Sequence, residues 1–357
     1  MSTMKQQFWK GKKVLVTGHT GFKGSWLTIW LKMLGAEVSG YALKPLTTQD
    51  NFVVAGLDRK INHRIGDVRN YEQLLQCFYE APPEIVFHLA AQPLVRESYS
   101  NPKSTYDINV GGTVNVLECC RQVESVRVIV NVTTDKCYDN KEWVWGYREN
   151  DRLGGYDPYS SSKACSELVT EAYRKSFFNP GSFSTHGKSL ASARAGNVFG
   201  GGDWQADRIV PDSIRHLERG EPIIVRSPHA IRPWQHVLEP LSGYLLLAEK
   251  MAGNPSAHAE GWNFGPEDSS FLSVGALVDN IVKIWGEGSW QGHSNPAALH
   301  EANLLKLDIN KAKSLLGWSP QWNIEKAVAE TVSWYKQYRS GDMYNLCCQQ
   351  ITDYMKG

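Results

Sequence analysis

Hydrophobic and polar positions along the first 194 residues alternate between two periods. Short strand candidates occur at 13–17, 37–43, 63–66, 85–90, 128–133 and 189–194, several of them rich in Val and Ile. Near-continuous runs such as Ile85-Val-Phe-His-Leu89 suit strands covered on both faces. Between them, residues 25–34, 110–121 and 160–177 read as helices. Strand–helix alternation predicts an α/β fold, a Rossmann-type doubly wound parallel sheet. From residue 195 the pattern becomes irregular, with Gly200-Gly-Gly202, several prolines and many tryptophans. That half reads as a smaller mixed lobe, with a boundary at 194/195 and part of 235–270 returning to the first lobe.

Composition narrows the class. A chain of 357 residues, 42% hydrophobic, can bury a sizeable core in one large or two intimate domains. A net charge of +1 provides no basic field for nucleic acid and no acidic tail, so anion binding must be local. Seven scattered cysteines, an odd number without C-x-x-C spacing, argue against a disulfide framework and a zinc site and suit a reducing compartment. The ten histidines form no H-x-x-x-H pair, and no metal is expected. Met-Ser-Thr-Met-Lys-Gln-Gln-Phe-Trp-Lys lacks the apolar core of a secretory signal, and no run approaches the ~20 apolar residues of a spanning helix. The expectation is a soluble, cytoplasmic protein without nucleic-acid or membrane partners.

Val14-Leu-Val-Thr17-Gly18-His-Thr-Gly21-Phe22-Lys-Gly24 is a strand entering a glycine turn that opens a helix. Gly18 suits a tight turn, Gly21 lets backbone approach a pyrophosphate, and Gly24 permits close helix–strand packing. The spacing is G-x-x-G-x-x-G; a turn without ligand is the plainer alternative, and the flanking strand and helix favour a dinucleotide. The second strand ends Ser39-Gly-Tyr-Ala-Leu-Lys44 with no acid for a ribose 2′-hydroxyl. Lys44 suits a 2′-phosphate and a solvated surface equally, which leaves NADP open beside NAD. Asp67, after the third strand, suits a helix cap or an adenine contact.

Tyr159 and Lys163 lie four apart, on one face of a helix. A lysine there, with a ribose hydroxyl, would draw the phenol down from ~10, so that it accepts a proton as an alcohol is oxidised. Thr134, Asp135 and Lys136 follow the apolar run 128–133 and so stand at a strand's carboxyl end. A helix cap or turn is the plainer reading, yet with Tyr159 downstream they suggest an added acid and base. Arg194, Arg208 and Arg232 suit a diphosphate or surface salt bridges, and spacing alone does not choose. Trp204, Trp234 and Trp262 read mainly as packing.

Taken together, the chain resembles the extended short-chain dehydrogenase/reductase family. Within it, the chain is similar to the nucleotide-sugar 4,6-dehydratases, and most to their CDP-D-glucose branch. The resemblance covers roughly residues 12–335. It rests on Thr17-Gly-His-Thr-Gly-Phe-Lys-Gly24, His88-Leu-Ala-Ala-Gln92, Asn109-Val-Gly-Gly-Thr113, Thr133-Thr-Asp-Lys136, Tyr159-Ser-Ser-Ser-Lys163, Arg194-Ala-Gly-Asn197-Val-Phe-Gly200 and Ile231-Arg-Pro-Trp-Gln-His-Val237. It implies that Gly18, Thr20, Gly21, Phe22 and Gly24 hold the cofactor pyrophosphate and that Asp67 and Val68 meet adenine. Leu89, Ala90 and Ala91 would line the cofactor cleft, Asn109 would support the site, and Tyr159 and Lys163 would also touch the cofactor. Asn197, Arg208 and Arg232 would hold the sugar nucleotide. Residues 1–194 would then carry the dinucleotide and 195–357 mainly the nucleotide sugar.

Lys136 departs from the glutamate of relatives acting on dTDP- or GDP-sugars, and Thr-Asp-Lys is the form of the CDP-glucose branch. The implied reaction is oxidation at C4, loss of water across C5 and C6, and return of hydride to C6. Tyr159 would deprotonate the C4 hydroxyl, Thr134 would bond its oxygen, Lys136 would take the C5 proton and Asp135 would protonate the departing C6 hydroxyl. A charged Lys136 would instead orient Asp135 and stabilise the enolate. The rivals are a UDP-sugar 4-epimerase, which needs no elimination pair, and a non-catalytic dinucleotide sensor, which would lack the Tyr–Lys pair. The family also implies a homodimer, or a dimer-based tetramer, formed through the helices near 110–121 and 160–177.

Overall fold

The computed structural model describes residues 6–293 and 304–357. Seven strands form one sheet with every neighbouring pair parallel: β1 (Lys13–Thr17), β2 (Glu37–Ala42), β3 (Asn62–Ile65), β4 (Ile85–His88), β5 (Val128–Val132), β6 (Ser189–Arg194) and β7 (Gly261–Asn263). Their order is β3-β2-β1-β4-β5-β6-β7, which reverses direction beside β1. A crevice at the carboxyl ends of the strands opens at such a reversal. All six strands expected from the pattern form. The three-residue β7 is too short to show a period in sequence.

Alternation along each strand sends side chains to two cores. Val14, Ile85, Phe87, Val128, Val130 and Val132 join one cluster, while Leu15, Val86 and Ile129 join the other. Because both faces are covered, β4, β5 and β6 are buried along their whole length. This is why β4 and β5 read as near-continuous apolar runs, while the polar residues of β6 are buried with partners such as Glu167.

Helices α1 (Phe22–Met33), α2 (Tyr71–Glu80), α3 (Gly112–Gln122) and α4 (Pro158–Ser176) provide the crossovers. Asn70 caps α2 by accepting from the Gln73 amide, and Asp157 caps α4 by accepting from the Ser160 amide. A π turn at Asp107–Gly111 leads into α3; such turns re-aim side chains and recur at functional sites. Later come α5 (Ile209–Glu218), α6 (Leu238–Gly253), α7 (Val274–Trp285), α8 (Ile324–Gln337) and α9 (Met343–Lys356). Helix α6 is buried over most of its residues and packs on β5, while α9 packs on α1. Trp204, Trp234 and Trp262 are all buried, as packing residues. Among the described residues no helix is long and apolar enough to cross a membrane.

Candidate active site

The glycine turn joins β1 to α1 and lies against the end of β4. Gly18 has φ +76°, and a Cβ there would stand 2.7 Å from the Ala90 nitrogen. A Cβ at Gly24 would overlap the Gly18 carbonyl. Only glycine fits these positions. Gly21 is exposed and gives α1 no side-chain cap, and the Ser25 amide is the first to bond back into the helix, to Gly21. The amides of Phe22, Lys23 and Gly24 therefore begin the helix without intrahelical acceptors, a cradle for an anion such as a pyrophosphate. Leu89, Ala90 and Ala91, half-buried, form the facing wall.

Other expected cofactor contacts are already engaged. The Thr20 hydroxyl donates to the Leu43 carbonyl at 2.9 Å. Asp67 pairs with Arg69 at 2.6 Å, and the guanidinium holds its carboxyl below the usual range. The alternative of a helix cap is overturned, since Asn70 fills that role. Val68 packs where a Cβ on Gly112 would collide with it. Asn109, in the π turn, donates to Ser162 Oγ at 2.8 Å and exchanges hydrogen bonds with the Gln92 backbone. It thereby ties the segment after β4 to α4.

The first turns of α4 place Tyr159 and Lys163 beside the end of β5, where Thr134 caps the short turn Asp135–Cys137. Tyr159 and Thr134 share a hydrogen bond, and the Thr134 hydroxyl donates to Asp135 Oδ1 at 2.9 Å. Phenol, hydroxyl and carboxylate thus form one chain. Burial pushes the Tyr159 phenol up to about 12, with Thr134 and Arg208 acting in the opposite sense. Lys163 is pushed down to about 8 by burial and donates to the Val132 carbonyl at 3.4 Å. Thr134 and Arg208 act on the phenol here, while the Lys163 ammonium is directed at the backbone.

Lys136 is half-buried, and its backbone amide donates to Thr134 Oγ1 at 3.4 Å. Asp135 is 1% exposed and also accepts from Asn197 Nδ2 at 3.4 Å. Asn197 holds a left-handed conformation, φ +51°, so its amide lies against Asp135. Arg208 precedes α5 and pairs with buried Asp203 at 2.7 Å; its charge is felt at both Tyr159 and Lys23. Arg232 lies on a short antiparallel ribbon opposite Leu272, half-buried, with Nη1 donating to the Ile231 carbonyl at 3.0 Å. Arg194 does not reach the site. Its guanidinium is buried against Glu167 at 2.7 Å and Tyr138 Oη at 2.6 Å.

Two participants escaped sequence reasoning. Lys23 sits in the glycine turn, and burial, with Arg208 and Lys163 nearby, pushes its ammonium down to about 7 against the opposing charges of Asp135 and Asp203. A lysine just before a close-packing glycine at a helix start was the available signal. Glu167, one turn beyond Lys163, accepts from Thr133 and Ser192 as well as Arg194. Nothing local distinguished it from a surface glutamate.

A family profile described as GDP-mannose 4,6 dehydratase matches residues 15–331. The chain is 51% identical over 354 residues, 98% of each chain, to a CDP-glucose 4,6-dehydratase of Salmonella typhimurium. A solved structure of DesIV, a dTDP-glucose 4,6-dehydratase from Streptomyces venezuelae with NAD and TYD bound, superposes with TM-score 0.76 at 25% identity, covering 91% of this chain and 97% of that one. A UDP-glucose 4-epimerase from Thermotoga maritima superposes with TM-score 0.77 at 23% identity, covering 92% and 99%, and so shares the fold.

Proposed function

The chain belongs to the GDP-mannose 4,6-dehydratase family, and we propose that it converts CDP-D-glucose to CDP-4-dehydro-6-deoxy-D-glucose and water, with NAD as cofactor. The observation that carries this reading is the hydrogen-bonded chain Tyr159–Thr134–Asp135. It sets a base for an alcohol beside an acid for a leaving hydroxyl. An epimerase has no use for the second group, and a non-catalytic sensor for neither. The 51% identity to a CDP-glucose 4,6-dehydratase supports the choice of nucleotide.

The glycine cradle and the free amides at the start of α1 suit the cofactor's pyrophosphate. A nicotinamide cofactor held there would supply the acceptor for hydride from C4 and the donor for its return to C6. The protein's own groups move the protons. Tyr159 accepts the C4 hydroxyl proton while Thr134 bonds the C4 oxygen. The resulting ketone acidifies the C5 hydrogen and sets the C6 hydroxyl β to the carbonyl. Lys136 removes the C5 proton, Asp135 protonates the C6 oxygen as it leaves as water, and C5 is reprotonated when C6 gains hydride. Arg208 and Arg232 hold the diphosphate through bidentate contacts, with Asn197 alongside Asp135.

In this reading residues up to 194, with β7 and α6 from the later half, serve the cofactor, and the remainder from 195 serves mainly the nucleotide sugar. We further propose a homodimer built on α3 and α4, supported by Tyr106, Leu168 and Phe177, which are large apolar side chains exposed in that region. Seven free cysteines suit a cytoplasmic location. The test of function is incubation of the purified protein with NAD and CDP-, dTDP-, GDP- or UDP-glucose, followed by mass analysis. Loss of one water from CDP-glucose is expected. An altered sugar of unchanged mass would mean epimerase, and no reaction with any of the four would remove the proposal.

A further inference from the structure

Asp135 is enclosed by backbone as well as by its hydrogen-bond partners. A Cβ built on Gly196 would fall on the Asp135 carboxyl group itself, with Oδ2, Cγ and Oδ1 its three nearest atoms. No real Cβ approaches so closely. Gly196 is also held from the other side. Gln235, 3% exposed, donates from Nε2 to the Gly196 carbonyl at 3.0 Å and to the Phe264 carbonyl at 3.1 Å. Its backbone amide reaches the Asn197 carbonyl at 3.3 Å. The next residue, Asn197, turns left-handed and sets its amide on Asp135 Oδ2. The backbone at 196–197 therefore cannot retreat without breaking these bonds. The group free to yield is the carboxyl end of Asp135, by rotation of its side chain.

We propose that Gly196 is a positioning residue for the elimination step: its lack of a side chain keeps the Asp135 carboxyl at the end of the Tyr159–Thr134 chain. The inference rests on the reading of Asp135 as the acid that protonates the C6 hydroxyl. Any larger residue at 196 swings that carboxyl away from Thr134 and from the sugar. The displaced carboxyl gives up its bond from the Thr134 hydroxyl, but Tyr159 and Thr134 both remain, so oxidation at C4 suffers less than loss of water. Position 196 thus separates an enzyme that dehydrates its ketone from one that only makes it.

The experiment compares wild type, G196A, D135A and G196A/D135A, each with NAD and CDP-glucose. Absorbance of the reduced cofactor follows C4 oxidation, mass analysis follows loss of water, and thermal unfolding of each protein without substrate follows packing. For G196A, water loss is expected to fall at least tenfold more than the rate at which reduced cofactor forms. The Tm lost by G196A should be largely recovered when Asp135 is also shortened, because the collision is with that carboxyl. Water loss by G196A at the wild-type rate would overturn the proposal. So would Tm effects that simply add, since Gly196 would then act on the fold and not through Asp135. A wild type that releases no water from CDP-glucose would instead defeat the reading of function, while the Tm cycle would still report the Gly196–Asp135 contact.

Discussion

Glu167 and Arg194 form a buried ion pair, Oε2 to Nη2 at 2.7 Å. Glu167 rides on α4 two residues short of a full heptad after Ser162 and one turn after Lys163, and Arg194 ends β6. Thr133 and Ser192 also donate to Glu167, so its carboxylate fastens the helix of Tyr159 and Lys163 to β5 and β6.

Breaking that pair should destabilise the protein strongly, because one charge is left buried without its partner. For Glu167→Gln we expect a loss on the order of 3–5 kcal/mol, read from the denaturation midpoint at unchanged slope. Burial pushes the Glu167 carboxyl up, but Arg194 and the donated hydrogen bonds outweigh it and hold the group below its ordinary value. Its contribution is therefore present above the unfolded value of ~4.3 and is lost as pH falls through the lower folded value. The gap between wild type and variant should close in acid. A gap independent of pH would contradict this account.

Removing the Thr134 hydroxyl should slow oxidation more at neutral than at alkaline pH. The phenol of Tyr159, already up at about 12, loses one of the groups that favour its ionised form. In Thr134→Val the pH profile of cofactor reduction should move to higher pH, with a rate at pH 7 lower by about 10-fold or more. An unshifted profile would show that Thr134 does not act on the phenol. Tyr159→Phe should abolish reduction at every pH.

Asp135 and Lys136 should separate from the redox pair in kinetics. With Asp135→Asn, cofactor reduction should proceed while water loss drops by about 10²–10⁴-fold, the usual worth of a positioned acid. With Lys136→Met, exchange of solvent deuterium into C5 of the bound 4-keto sugar should fall by a similar factor. Undiminished exchange would leave Lys136 with an electrostatic part only.

Lys23 should register in stability as a function of pH. Its folded value of about 7 lies below the ordinary 10.5, so between these values the unfolded chain binds more protons. Stability from this group accordingly rises with pH across that window, and its charged form opposes folding below it. Lys23→Met should therefore gain on wild type at pH 6, with the advantage shrinking toward pH 10. Parallel stability curves for the two proteins would rule out the burial of this ammonium.

Residues that act through local pattern were legible from the chain itself. Near-continuous apolar runs announced strands such as β4 and β5, because a strand buried on both faces cannot hide its composition. Gly18 and Gly24 announced a tight, close-packed turn, since only a residue without Cβ fits there. Tyr159 and Lys163, four apart on a helix, and Thr134-Asp135-Lys136 after an apolar run stood in positions that the secondary structure alone fixes relative to the sheet. Partnership across the chain was decided only by tertiary structure. Arg194 and Arg208 looked alike in sequence, yet one closes on Glu167 in the core and the other meets Asp203 near Tyr159. Lys23 feels the charge of Asp135 across more than a hundred residues, and Gly196 makes room for the same carboxyl from a different strand's end. Charge pairing and close approach depend on distances set by the packed sheet, and no spacing along one segment encodes them.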